Sequence, residues 1–233
     1  MKINPIHSFD LSLDEMRAIQ HSLRQQIRLT PYLGQPRLVA GVDLAYFPDN
    51  QQAVAVIAIM DYASKQLVET VHCQDTVSQE YIPGFLAFRE LPLFLKAWEQ
   101  VQSEPDLVFF DGNGMLHPER VGLATHASFF IDKPTIGIAK KHFMGEYREP
   151  GPERGSMERI WDQGEIIGAV LRTQDGVKPI YVSVGNHVDL PLSLRLALHF
   201  VGKESRIPEI IRRADMLTRQ IRKQMLDSLE SQK

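Results

Sequence analysis

Behind Ser12-Leu13-Asp14-Glu15, apolar residues recur at Met16, Ile19, Leu23 and Ile27. This spacing predicts a capped amphipathic helix that ends before Thr30-Pro31. The rhythm then shortens to alternation. Arg37 to Phe47 reads as a strand with Leu38, Ala40, Val42 and Leu44 on one face, Pro48-Asp49-Asn50 as a turn, and Ala53 to Tyr62 as a second, strongly apolar strand. A third runs from Gln66 to about Val77 after the short Ala63-Ser64-Lys65 connection. Connections this short favour hairpins, so the three strands are expected to form an antiparallel meander.

After Pro83-Gly84 a helical period returns in Phe85, Leu86, Phe88, Leu91, Leu95 and Trp98, with Pro92 expected to kink or break the helix. Asp106 to Phe110 predicts a short buried strand, Val121 to Phe130 a helix, and Pro134 to Ala139 another strand. Strand, helix and strand with short connections imply parallel pairing through a right-handed crossover. Met144 to Glu158 contains three glycines and two prolines and reads as a surface loop. Glu165 to Arg172 and Lys178 to Val184 form a further hairpin around Asp175-Gly176, and helices over about Leu192 to Phe200 and Pro208 to Leu229 close the chain. The order β-β-β-α-β-α-β with additions at both ends is that of the ribonuclease H-like architecture. The expected fold is therefore α/β, with a mixed central sheet (a three-strand antiparallel meander plus parallel strands) flanked by helices. No repeat, low-complexity tract or linker divides it, so residues 1–233 read as a single domain.

Composition narrows the class. A chain of 233 residues, 43% hydrophobic and 24% charged, is neither disordered, collagenous nor a coiled-coil rod. Its longest apolar run, Ala53 to Met60, is far short of a membrane span, and Met1-Lys2-Ile3-Asn4-Pro5 lacks a signal-peptide core. A soluble cytoplasmic protein with no membrane partner is expected. The lone Cys73 and eight histidines without ligand spacing make zinc a poor candidate. Net charge is −3, yet Lys203 to Lys223 holds seven basic residues against three acids. Two readings stand: a phosphate-facing stripe beside a carboxylate-rich site, or a solvated helix face.

Four carboxylates invite chemistry. Asp43 interrupts an apolar strand and points with Gly41 and Ala45, small residues that would leave room for a ligand. Asp111 ends the run Leu107-Val108-Phe109-Phe110, at the carboxyl end of a buried strand, where open α/β sheets place their ligand crevice. Gly112-Asn113-Gly114 then lets the backbone turn tightly. Glu90 sits on the intervening helix and Asp215 on the last one, amid Arg212, Arg213 and Arg219. Each has a plain structural reading as an exposed strand residue, a turn former or a helix ion pair. In combination, facing carboxylates cannot all stay charged without cations, and hard oxygen ligands select Mg²⁺ or Mn²⁺. Such a site suits metal-assisted phosphodiester cleavage.

At these residues the chain resembles the endonuclease V family over nearly its whole length. The matching stretches are Ala40-Gly41-Val42-Asp43-Leu44, Tyr81 to Glu90, Phe110-Asp111-Gly112-Asn113-Gly114, Pro134 to Lys141, Arg206-Ile207-Pro208-Glu209 and Arg213-Ala214-Asp215. The resemblance implies a Mg²⁺-dependent hydrolase, with Mn²⁺ as substitute. It would cut the second phosphodiester bond 3′ to a deaminated base, chiefly deoxyinosine, leaving 5′-phosphate and 3′-hydroxyl ends. It assigns metal-site roles to Asp43 and Asp111 and a catalytic carboxylate to Glu90. Lys140 matches the active-site lysine, and Asp215 completes the metal set where some members carry histidine. Tyr81-Ile82-Pro83 matches the wedge inserted at the lesion. Gly84, Leu86, Gly112, Leu116, His117 and Gly122 match the neighbourhood that holds the turned-out base.

The chain departs from the family pattern at Glu80, where proline often begins the wedge, at Glu119, where a basic residue is usual, and at Asn186, where several members have histidine. The implied partner is DNA carrying deoxyinosine or another deaminated base, with inosine in RNA as the alternative and a monomer as the acting species. A catalytically silent nucleic-acid-binding module is the rival from another class. Retention of Asp43, Glu90, Asp111, Asp215 and Lys140 speaks against it.

Overall fold

The computed structural model describes residues 1–30, 34–48, 51–77 and 79–230; the turn expected at Asp49-Asn50 lies outside them. Helix α1 (Leu13–Arg24) begins with a capping box in which Ser12 accepts from the Glu15 amide and Glu15 accepts from the Ser12 amide. Strands β1 (Leu38–Tyr46), β2 (Gln52–Asp61) and β3 (Leu67–Thr76) form the antiparallel meander. Helix α2 (Leu86–Gln100), β4 (Leu107–Asp111), α3 (Leu123–Ile131) and β5 (Thr135–Ala139) follow. The chain continues through β6 (Met157–Asp162), β7 (Glu165–Leu171), β8 (Ile180–Asn186), α4 (Leu190–His199) and α5 (Glu209–Glu230). The sheet order is β3-β2-β1-β4-β5-β8-β7-β6; β1 pairs parallel with β4, and β4 with β5.

Two cores flank this sheet. Leu38, Ala40 and Val42 of β1 pack with Leu91, Phe94 and Trp98 of α2 on one face. On the other, Val39 packs with Phe109, Ile136, Ile138 and with Ile210 and Ile211 of α5. At roughly 1.5–3 kcal/mol for each fully buried large side chain, these faces supply the main drive for sandwiching the sheet between helices.

Three expectations change. Pro92 neither breaks nor ends α2, because ten of its fifteen residues are buried and packing on several sides holds it through the missing amide. The loop expected to reach Glu158 gives way at Met157 to β6, an edge strand. Its hairpin to β7 turns at Gln163 (φ 51°) and Gly164 (φ 80°), the paired left-handed conformations of a type I′ turn. The space beside Gly41 belongs to α5, not to a ligand: a Cβ there would meet the Ile210 carbonyl oxygen at 2.3 Å.

Gly41→Ala should therefore push α5 off β1 and destabilise the protein by about 1–3 kcal/mol. Thermal melting checks this, and an unchanged midpoint would show that the helix accommodates the methyl without cost.

Candidate active site

Pairing register builds the site. The parallel ladder of β1 and β4 runs through Val42↔Phe110, so the next residues, Asp43 and Asp111, stand side by side at the strands' carboxyl ends. Asp111 is in turn level with Ile138 of β5, two residues before Lys140. Alternation sends Asp43, Asp111 and Lys140 to the face that carries Val39, Phe109 and Ile138, and α5 covers that face. From α5 comes Asp215.

Asp43, Asp111 and Asp215 each offer one carboxylate oxygen, and these atoms lie within 4.8 Å of one another. Lys140 Nζ donates to Asp111 Oδ2 at 2.5 Å and sits 3.5 Å from Asp215 Oδ1. Thr218 Oγ1, one turn beyond Asp215, lies 2.7 Å from Asp43 Oδ2 and 2.8 Å from the Asp215 carbonyl oxygen, and its single hydrogen is shared between them. Burial pushes the Asp43 carboxyl up to about 7, against the Thr218 hydrogen bond, and the charges of Asp111 and Asp215 add to the rise. Burial pulls the Lys140 ammonium down, but Asp111, Asp215 and Asp43 together outweigh it and raise its pKa.

Glu90 reaches the strand ends from the opposite face, on α2, and stands outside the aspartate triad. It accepts from Tyr46 Oη at 3.0 Å, but burial lifts its carboxyl to about 8 against that hydrogen bond, with Asp43 and Asp111 adding to the rise. Three converging carboxylates, a fourth nearby and no soft donor make an all-oxygen set, the chemistry that Mg²⁺ or Mn²⁺ requires.

Tyr81, 63% exposed, stands at the tip of the segment before α2. Pro83 and Gly84 occupy the centre of a turn closed by the Phe85 amide on the Ile82 carbonyl at 2.9 Å, and Gly84, at φ 85°, has the backbone that a type II turn demands at that place. His117 Nδ1 accepts from the Glu119 amide, so Nε2 carries the proton and donates to the Gly84 carbonyl at 3.0 Å. Burial lowers the His117 pKa to about 4. The structure thus joins Gly84 and His117 directly, with Leu86 half-buried at the first turn of α2. Gly112 follows Asp111, and its amide donates to Ile138. Gly122 closes the same loop onto Gly114, with no room for a Cβ beside the Asn113 carbonyl. Leu116 is fully buried, its side chain packed with Ile160, Ile167 and Val170.

The basic segment is mostly consumed within the chain. Arg212, Arg213 and Arg219 pair with Glu204, Glu209 and Asp215, while Arg206 donates to the Pro179 and Lys140 carbonyls and Arg222 to that of Tyr46. Sequence reasoning missed Tyr46 and Thr218. Thr218 and Tyr46 each lie three residues beyond a candidate aspartate, the nearest thing to a signal that they carried.

A ribonuclease H-like sheet with aspartates converging at the ends of β1 and β4 defines a hydrolase-type carboxylate centre. Known proteins narrow that class. The endonuclease V family profile matches residues 21–216. An endonuclease V from Petrotoga mobilis is 48% identical over 222 residues, covering 95% of this chain and 99% of its own. The crystal structure of endonuclease V from Bacillus subtilis superposes with a TM-score of 0.94 at 39% identity, covering 98% of this chain and 100% of that one. Ciona intestinalis endonuclease V, solved with a 24mer DNA containing an inosine followed by a ribo-adenosine, gives a TM-score of 0.81 at 25% identity, with 91% and 98% covered. The chain belongs to the endonuclease V family and is a nuclease.

The raised carboxyls carry a pH signature. Between the ordinary values of 3.8 and 4.5 and the folded values near 7 and 8, the native state of metal-free protein binds more protons than the unfolded state. Stability contributed by these groups is therefore full at low pH and lost as pH rises toward 8. Asp43→Asn, which cannot ionise, should gain about 2 kcal/mol over the parent at pH 8, roughly 4–8 °C in melting temperature, and far less at pH 5. Melting both proteins in chelator at the two pH values checks this; equal differences would show that Asp43 ionises there without penalty.

Proposed function

We propose that this chain is a DNA-repair endonuclease that recognises deaminated bases, chiefly deoxyinosine, and hydrolyses the second phosphodiester bond 3′ to the lesion. The observation that carries the proposal is the meeting of Asp43, Asp111 and Asp215 beside Lys140, in a family whose Ciona intestinalis member is seen on inosine-containing DNA. Asp43, Asp111, Glu90 and Asp215 would hold Mg²⁺, with Mn²⁺ as substitute. When bound, the ion supplies charge neutralisation and Lewis-acid activation at the phosphodiester.

The remaining work falls to the protein. Lys140, held in place by Asp111, is positioned to offset charge that develops on the scissile phosphate. Cleavage of the phosphorus–O3′ bond by water leaves the 5′-phosphate and 3′-hydroxyl ends. Tyr81, exposed beside Ile82 and Pro83, is free to replace the stacking lost where a nucleotide turns out. Gly84, Leu86, Gly112, Leu116, His117 and Gly122 form the base pocket largely through their backbone groups. Among the described residues no helix is long and apolar enough to cross a membrane. A single-domain monomer acting in the cytoplasm fits this work.

The test is Mg²⁺-dependent nicking of a duplex with one inosine, beside the matched undamaged duplex and the same oligonucleotide in RNA. Nicking confined to the second bond 3′ of inosine in DNA supports the proposal. Faster cleavage of the RNA would transfer the main substrate to inosine RNA, and no cleavage of either would leave a binding module.

Asp43→Ala and Asp111→Ala should abolish nicking while inosine-duplex binding in Ca²⁺ survives. Near-normal Mg²⁺-dependent turnover in either variant would remove it from the metal site. Tyr81→Ala should instead cut the preference for inosine roughly ten-fold or more, the worth of one base–aromatic stack. Competition binding against undamaged duplex measures that ratio.

A further inference from the structure

The buried stripe of α1 runs Met16, Gln20, Leu23, and its middle member is polar. Gln20 is 1% exposed, and a glutamine so deep needs a partner. It has one: Nε2 donates to the Gly84 carbonyl at 2.8 Å. That oxygen also receives the His117 proton, so two buried side chains from distant parts of the chain fix a single carbonyl.

Gly84 is where such a hold has leverage. The turn's own hydrogen bond uses the Ile82 carbonyl, which leaves Gly84 to others. A Cβ at Gly84 would meet nothing within 4 Å, so the glycine serves backbone direction rather than close packing. At the other end of the segment Arg89 donates to the Gln79 carbonyl, and Gln79 Nε2 donates to Phe9 at 2.7 Å. Between these two anchored points, Glu80 to Pro83 lifts Tyr81 into solvent.

The hold on Gly84 closes on itself. His117 belongs to a loop whose carbonyls at 117 and 118 both receive Arg120 Nη1. Arg120, 2% exposed and at φ 61°, also pairs with Asp162 at 2.6 Å and Glu165 at 2.8 Å, at the two ends of the β6–β7 turn. Glu165 is met by Arg24, one turn beyond Gln20 on the same helix. A ring of polar contacts therefore runs from α1 through Gly84, His117, Arg120 and Glu165 back to α1.

We propose that Gln20 is a positioning residue for lesion selection: with His117 it sets the direction of the Gly84 carbonyl, and so the angle at which Tyr81 is presented beside the base pocket. The proposal rests on the reading of Tyr81-Ile82-Pro83 as the wedge. It separates α1 from the metal carboxylates, none of which Gln20 touches.

Gln20→Met keeps length and volume, removes the donor and leaves the His117 bond in place. In full-length protein it should raise KM for the inosine duplex about ten-fold, the worth of one hydrogen bond to a positioned group. Turnover at saturation should change less than two-fold, and Ca²⁺-supported binding of undamaged duplex should not change. Tyr81→Ala is measured beside it. Loss of inosine preference in both variants supports the proposal. If Tyr81→Ala loses the preference and Gln20→Met keeps it, the positioning role is overturned and the wedge reading stands. If Tyr81→Ala keeps the preference, the wedge reading fails and takes this role with it. Equal weakening toward inosine and undamaged DNA, with a lowered melting temperature, would reduce Gln20 to a packing residue and also overturn the proposal.

Discussion

Like charges held together against their own repulsion are the constraint on which this structure turns. Three aspartates meet within 4.8 Å of one another, and the fold keeps them there without letting them spread. Two are locked by a parallel ladder in which a one-residue slip of either strand would turn that strand's aspartate to the wrong face. The third is held by α5, whose approach is set by the absence of a side chain at Gly41. Lys140 and Thr218 relieve part of the conflict, and burial sharpens the rest. Carboxylates so placed form an acidic triad that could hold a cation.

The elements that pattern alone reveals are those whose burial is one-sided or complete over several residues. The meander, the parallel β4–α3–β5 unit and the β7–β8 hairpin all lie in such runs. Strand β6 escaped because it is a sheet edge: Met157 and Glu158 are only partly covered, Arg159 is exposed, and the glycines before it resemble loop composition. Pro92 misled for the opposite reason. Propensity is local, and an α2 packed against β2, β3 and α3 overrides it.

The candidate site was legible at Asp43, Asp111 and Lys140 because each follows or interrupts an apolar run that fixes which way it points. Their mutual distances were not, since register depends on contacts far apart in the chain. Gly41 shows the limit well. A small residue beside a carboxylate reads equally as room for a ligand or room for a helix, and only the packed α5 decides. The arginines of α5 read equally as a phosphate stripe or a solvated helix face until their partners, Glu204 and Glu209 among them, are seen in place.

The hydroxyl of Thr218 meets Asp43 across 175 positions of sequence. During synthesis the carboxylates of β1 and β4 exist well before the helix that completes their cluster. Without α5 the cluster lacks both the Asp215 carboxylate and the Thr218 hydroxyl. The carboxylate cluster is therefore complete only where β1, β4 and α5 are all in place, so one short helix segment closes a centre that two strands begin.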